Sequence, residues 1–326
     1  MRICLVLEGC YPYVHGGVST WMHSYITAMK EHEFVLWVIG AKGKDRGKFV
    51  YDLPSNVVEV HEVFLDDALR LSGEHAKVIF TDEEVKALRE LVNLNDPDWD
   101  VLFNLFHNNG VHPLSVLQSN EFIDPFTKIC MEEYPYVAYA DAFHTVRSML
   151  LPVLYLMTGE VPKAQIYHAI STGYGGLLAC LGGSINHAPV LLTEHGIYTR
   201  EREEEILSAE WVAPAFRQRW IRFFAMLSQE IYRRAWRVTS LFGRAAAQHG
   251  LDLHTVVFCH PNAQALRKLG SVGLEGHAVC GQQGGQRQLV GAVHPLRNFG
   301  GVAAPGQLLQ HGQQICFAHG ARLAAA

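Results

Sequence analysis

Apolar residues near the start of the chain gather in short, largely unbroken runs: Ile3 to Leu7, Phe34 to Ile39, and Val57 to Val60 with a continuation to Phe64. Each is bounded by glycine or polar residues, the pattern of a buried strand. Between the first two, Val18, Trp21, Met22, Tyr25, Ile26 and Met29 recur at helical spacing, which predicts a helix from Gly17 to Lys30. Strand, helix and strand at this spacing form the βαβ unit of a parallel sheet.

The middle of the chain reads as more helical. Asp82 to Val92 sets Val85, Leu88 and Leu91 against charged residues, and Glu121 to Tyr134 is a helix stopped before Pro135. Trp99 to Phe106 is compatible with helix or strand, and Phe143 to Met157 is apolar on nearly all sides and should be buried. Strand patterns return at Gln165 to Ile170, Pro189 to Thr193 and Val238 to Phe242. Thr199 is a candidate helix N-cap, and Phe216 to Ala235 is a long amphipathic helix. At least five strands alternate with helices, so the expected class is α/β, a doubly wound, mostly parallel Rossmann-like sheet.

In such sheets ligands lie at the carboxyl ends of the strands. That rule selects three places. Gly16 and Gly17 precede the first helix, where free N–H groups and the helix dipole suit an anion; a plain tight turn is the alternative. Ser171, Thr172 and Gly173 repeat the strand, glycine-rich turn and helix pattern, and are candidate cleft lining. Glu194, His195 and Gly196 follow the Pro189 to Thr193 strand. A histidine there can donate to a substrate oxygen or act as acid/base, and Glu194 can orient it or meet a sugar hydroxyl. Arg200 and Arg202 are candidates for a phosphate, against a solvated helix interleaved with Glu201, Glu203, Glu204 and Glu205. His168 reads either as cleft-facing or as a core histidine.

Composition narrows the class. Of the 326 residues, 49% are apolar and 18% charged, as in a soluble globular protein, and the net charge of −5 with no dense basic cluster argues against nucleic acid as a partner. No apolar stretch is long enough for a bilayer span. The seven cysteines include no C-x-x-C pair, and Cys4 and Cys130 lie in apolar segments, so reduced buried thiols and a cytoplasmic location are expected. The opening turn lacks G-x-G-x-x-G, and no Walker, H-E-x-x-H or G-x-S-x-G pattern occurs, so neither a metal nor a bound cofactor is expected. Every Trp and Tyr precedes Phe242. Beyond it only Asp252 and Glu275 are acidic, and Gly, Gln, Ala and His dominate. The expected organisation is therefore a folded 1–242 and a poorly ordered tail over 243–326, its abrupt change of composition that of a frame-shifted or mis-called end.

Three stretches, EGCYPYVHGGVSTWMHSYI, IYHAISTGYGGLLA and LLTEHGIYTREREEEI, resemble PelF-type glycosyltransferases of family 4, over about 1–242. The resemblance implies the N-terminal, acceptor-side domain of a GT-B fold. It also implies transfer of a sugar from a nucleotide donor, a UDP-sugar, with retention at the anomeric carbon, in bacterial exopolysaccharide synthesis. It places Gly16 and Gly17 near the donor diphosphate and transferred sugar, and His195 in the cleft with Glu194 beside it. The partners it implies are the nucleotide-sugar, a glycan acceptor and membrane-associated polysaccharide synthase components. The family's second domain carries an E-x7-E pair. After Phe242 only Glu275 is available, so the expectation for this chain alone is a truncated, inactive half. The competing readings are a non-catalytic Rossmann-like module of the same machinery and, more weakly, a nucleotide-binding oxidoreductase.

Overall fold

The computed structural model describes residues 1–73, 76–240 and 256–258. Six parallel strands form the sheet: β1 (Arg2–Glu8), β2 (Glu33–Gly40), β3 (Val57–Phe64), β4 (Ile166–Ala169), β5 (Val190–Glu194) and β6 (Ala235–Ser240). Their order is β3-β2-β1-β4-β5-β6, and a short seventh strand, β7 (Val256–Phe258), pairs parallel with β6 at the edge. The chain first builds outward from β1 through β2 to β3, then returns to the other side of β1 and builds β4, β5 and β6. This is the doubly wound Rossmann-like order, and its reversal falls between β1 and β4.

The two faces of the sheet are divided by strand alternation. Ile3, Leu5 and Leu7 of β1 and Phe34, Leu36 and Val38 of β2 pack against Val18, Met22 and Ile26 of α1 (Gly17–Ala28). Cys4, Val6, Val35, Trp37 and Ile39 face the larger core. That core is supplied by α2 (Leu65–Leu69), α3 (Asp82–Asn93), α4 (Trp99–Phe103), α5 (Pro113–Leu117), α6 (Asn120–Glu133) and α7 (Tyr139–Met157), and by three later helices. Those are α8 (Gly173–Asn186), α9 (Tyr198–Ser208) and α10 (Arg217–Arg234). The ambiguous Trp99 to Phe106 segment is helical, α4 running into a single π-turn over Asn104–Asn108.

Several boundaries shift by a residue or two from the sequence reading, and two of the differences have a clear physical cause. The helix expected to be capped at Thr199 begins at Tyr198 with Ile197 in the N-cap position, because Tyr198 is already buried in the core and draws the first turn inward. The last strand starts at Ala235 rather than Val238, since α10 ends directly into it and Ala235 pairs with Val190. Cys4, Cys130 and Cys180 are buried free thiols. Among the described residues no helix is long and apolar enough to cross a membrane. Phe242 and all of 243–326 apart from β7 lie outside the described residues, so the expected domain boundary and tail fall there.

Candidate functional site

The three selected turns lie where expected, at the carboxyl ends of β1, β4 and β5, but the two helix ends beside the β1/β4 reversal differ. At α1 the N-cap Gly16 has extended backbone, and no side chain caps the helix. The first helical bond runs from the Thr20 N–H to the Gly16 carbonyl at 2.8 Å, so the N–H groups of Gly17, Val18 and Ser19 precede it. The first turn has no acidic residue, and a Cβ added at Gly16 or Gly17 would meet nothing within 4 Å. By contrast α3 closes its own end with a capping box between Thr81 and Glu84. The α1 terminus therefore combines open donors, the positive end of the dipole and room for a ligand against the backbone.

The second helix end is filled from within. Glu8, the last residue of β1, accepts a hydrogen bond from the Gly175 N–H at 3.0 Å, inside the first turn of α8. Burial raises the pKa of this carboxyl group. Arg202, the Gly175 and Tyr174 N–H groups and the Ser171 hydroxyl act in the opposite sense. Gly173 has φ +33°, and a Cβ there would collide with the Tyr198 ring and hydroxyl. Only glycine fits this closure, in which Tyr198 lies across the start of α8. Arg202, buried at 4% exposure, donates to Glu205 Oε2 at 2.7 Å and lies over the Tyr198 ring at 4.9 Å. Ser171 and Gly173 thus belong to a closed internal cluster. Thr172 is bonded to Ser228 of α10 at 2.8 Å, and a Cβ added at neighbouring Gly175 would crowd the Ser171 hydroxyl.

Glu194, the last residue of β5, and His195, the first beyond it, divide between the faces. Glu194 is buried, and its Oε1 accepts a hydrogen bond from the Tyr232 hydroxyl of α10. His195 lies against Trp21 of α1 with ring centroids 4.8 Å apart, edge to face. The two are placed on opposite sides of the sheet edge, so alternation gives Glu194 to α10 and His195 to the α1 end. His195 Nε2 and Trp21 Nε1 are both buried without a hydrogen-bond partner. Burial, with His168 nearby, lowers the pKa of His195 to about 4, so its imidazole is neutral at pH 7. Beneath it His168 Nε2 is bonded to Thr193 Oγ1 at 2.7 Å, and Thr193 to Thr239 at 2.6 Å.

Of the residues singled out from sequence, Gly16, Gly17 and His195 converge on the α1 end. Arg200 stands apart on the exposed face of α9, paired with Glu204 at 3.1 Å. Glu8, Trp21 and Tyr232 are the site residues that the sequence reading passed over. The Glu8-Gly9 step was a usable signal, since a carboxylate at a strand end in this fold points toward helix N-termini. Among the described residues no group of three or more His, Cys, Asp or Glu side chains could hold a metal ion.

Residues 1–250 match the family described as a domain of unknown function, DUF3492. The chain belongs to that family. The matched region spans the entire six-strand sheet and runs past the composition change at Phe242. No curated protein matches the chain.

Proposed function

We propose that this DUF3492 chain supplies the acceptor-side, Rossmann-like half of a retaining GT-B glycosyltransferase of the PelF type. In this reading the enzyme of which it forms half moves a sugar from a nucleotide-sugar donor, a UDP-sugar, onto a glycan in exopolysaccharide synthesis, and this half alone is inactive without its donor-binding partner. The observation that carries the reading is the pair of contacting rings, Trp21 and His195, each with an unpartnered buried nitrogen, beside the uncapped α1 N-terminus. Buried polar atoms of this kind call for a partner.

In this mechanism the Gly17, Val18 and Ser19 N–H groups meet the donor diphosphate. They stabilise the negative charge that grows on it as the bond to the anomeric carbon breaks. His195, neutral at pH 7, serves as a hydrogen-bonding group to the transferred sugar rather than as a cation paired to phosphate. Glu194 holds its place through Tyr232 and frames the cleft from the α10 side. The E-x7-E residues of the donor-binding half find no counterpart in the described residues.

The test is a titration of the chain with UDP and with pyrophosphate, followed through backbone amide NMR. Shifts concentrated at Gly17, Val18 and Ser19, with Gly175 unmoved, support the reading. With the donor-binding half supplied, UDP release from UDP-sugars that falls in a His195→Ala variant supports catalysis. UDP and pyrophosphate that leave the α1 amides unmoved would exclude the diphosphate role.

A further inference from the structure

The α1 end has a second flank, opposite His195, that the donor reading leaves unused. Four rings meet there. Tyr51, from the β2–β3 connection, lies 5.0 Å from Tyr11, 4.9 Å from His15 and 5.4 Å from His23. Tyr11 is wholly buried and its hydroxyl is bonded to His23 Nδ1 at 3.3 Å. The Tyr51 hydroxyl lies 3.5 Å from Thr20 Oγ1. Val50 N–H donates to the Pro12 carbonyl at 2.9 Å, which ties the two loops together. His15 and Thr20 are exposed, and His23 and Tyr51 are half-buried.

Burial of hydrophobic area alone does not account for this composition. The inner ring is fixed in the core, whereas the outer members present ring surface together with hydroxyl and imidazole groups to solvent. Sugars have the matching chemistry: apolar C–H faces that lie on aromatic rings, and hydroxyls that exchange hydrogen bonds at the ring edges. Because Tyr11 and the Val50–Pro12 bond hold the array in place, little ordering is required when a ligand binds.

The cluster also has a definite position. His15 immediately precedes Gly16, and Thr20 lies one turn into α1. Trp21 and Tyr25 face β4 and β5 through His195 and His168, while Thr20 and His23 face Tyr51. A group bound at the glycine end would therefore have His195 on one side and the ring array on the other.

We infer that His15, Thr20, His23 and Tyr51 form the subsite that receives a sugar ring of the glycan acceptor. This rests on the glycosyl-transfer reading above and adds the residues that recognise the second substrate.

The full chain is tested by saturation-transfer NMR with three neutral probes: maltotetraose, cellotetraose and chitotetraose. At least one should receive saturation from the wild-type chain. Tyr51→Ala and His15→Ala should each weaken that binding about tenfold, and Tyr51→Phe, which keeps the ring, should hold it within about threefold. UDP binding at the α1 amides should persist in all three variants. Failure of every tetraose to bind wild type, or undiminished binding in His15→Ala and Tyr51→Ala, would overturn the inference. If Tyr51→Ala loses UDP as well, its fold has failed and the exposed His15→Ala decides. Loss of UDP binding by wild type with tetraose binding intact would instead count against the donor reading and leave the sugar subsite standing.

Discussion

Acidification should weaken this fold through His168, and the size of the effect follows from its surroundings. The ring is 5% exposed, edge-on to Tyr25 of α1, with Nε2 bonded to Thr193. Burial lowers its pKa from 6.5 to about 4. The unfolded chain therefore takes up a proton near pH 6.5, while the folded chain resists until about pH 4. Between those values the unfolded state binds more protons, so stability falls as pH falls. The contribution is fully present above pH 6.5 and lost at about pH 4. At about 1.4 kcal/mol per pH unit, the interval from 6.5 to about 4 amounts to roughly 3 kcal/mol. His195 acts with the same sign. The perturbation is His168→Gln, which keeps a partner for Thr193 and cannot titrate in this range. Urea unfolding of both proteins between about pH 7 and pH 4 isolates the effect, because the carboxylates common to the two cancel in the difference. The variant should lose about 3 kcal/mol less than wild type across the window. Parallel stability curves would refute the reasoning and show that the histidine protonates in place.

Three further outcomes follow. Gly17→Ala should leave the melting temperature unchanged or slightly raised, since its Cβ meets open space and alanine favours helix by up to about 1 kcal/mol. It should still weaken pyrophosphate binding, and an unaltered affinity by calorimetry would remove the backbone from the site. Gly173→Ala should cost about 2–4 kcal/mol in urea unfolding, from left-handed backbone strain and the collision with Tyr198. The double variant Gly173→Ala/Tyr198→Leu should recover part of that loss, and no recovery would show that the strain is in the backbone alone. Arg202→Met should destabilise by about 3–5 kcal/mol because it strands Glu8 and Glu205, and a thermal melt equal to wild type would show that the cluster is already neutral.

Much of the architecture was legible in the sequence because buried parallel strands are short apolar runs. β1, β2 and β5 are of that kind, and the α1 apolar face repeats at helical spacing. What was not legible had specific causes. The start of α9 was misplaced because Thr199 has good capping chemistry, but burial of Tyr198 overrode it. Glu194 and His195 are neighbours in sequence and suggested a cooperating pair, yet the alternation that orders a strand sends them to different partners, Tyr232 and Trp21. The equivalence drawn between the Gly16-Gly17 and Ser171–Gly173 turns hid a difference that resides in neither turn. It resides in Glu8, more than 160 positions away from the helix it occupies.

That carboxylate has a consequence for how the cleft can be addressed. A doubly wound sheet offers a negatively charged guest two near-equivalent berths at its reversal, one on each helix. Here the chain seats one of its own side chains in the second, so under the function proposed above a donor diphosphate is left with a single berth, at α1. The same arrangement binds α9 to the choice. Arg202 must stay where it counterbalances Glu8, so α9 is anchored to the buried cluster at the start of α8.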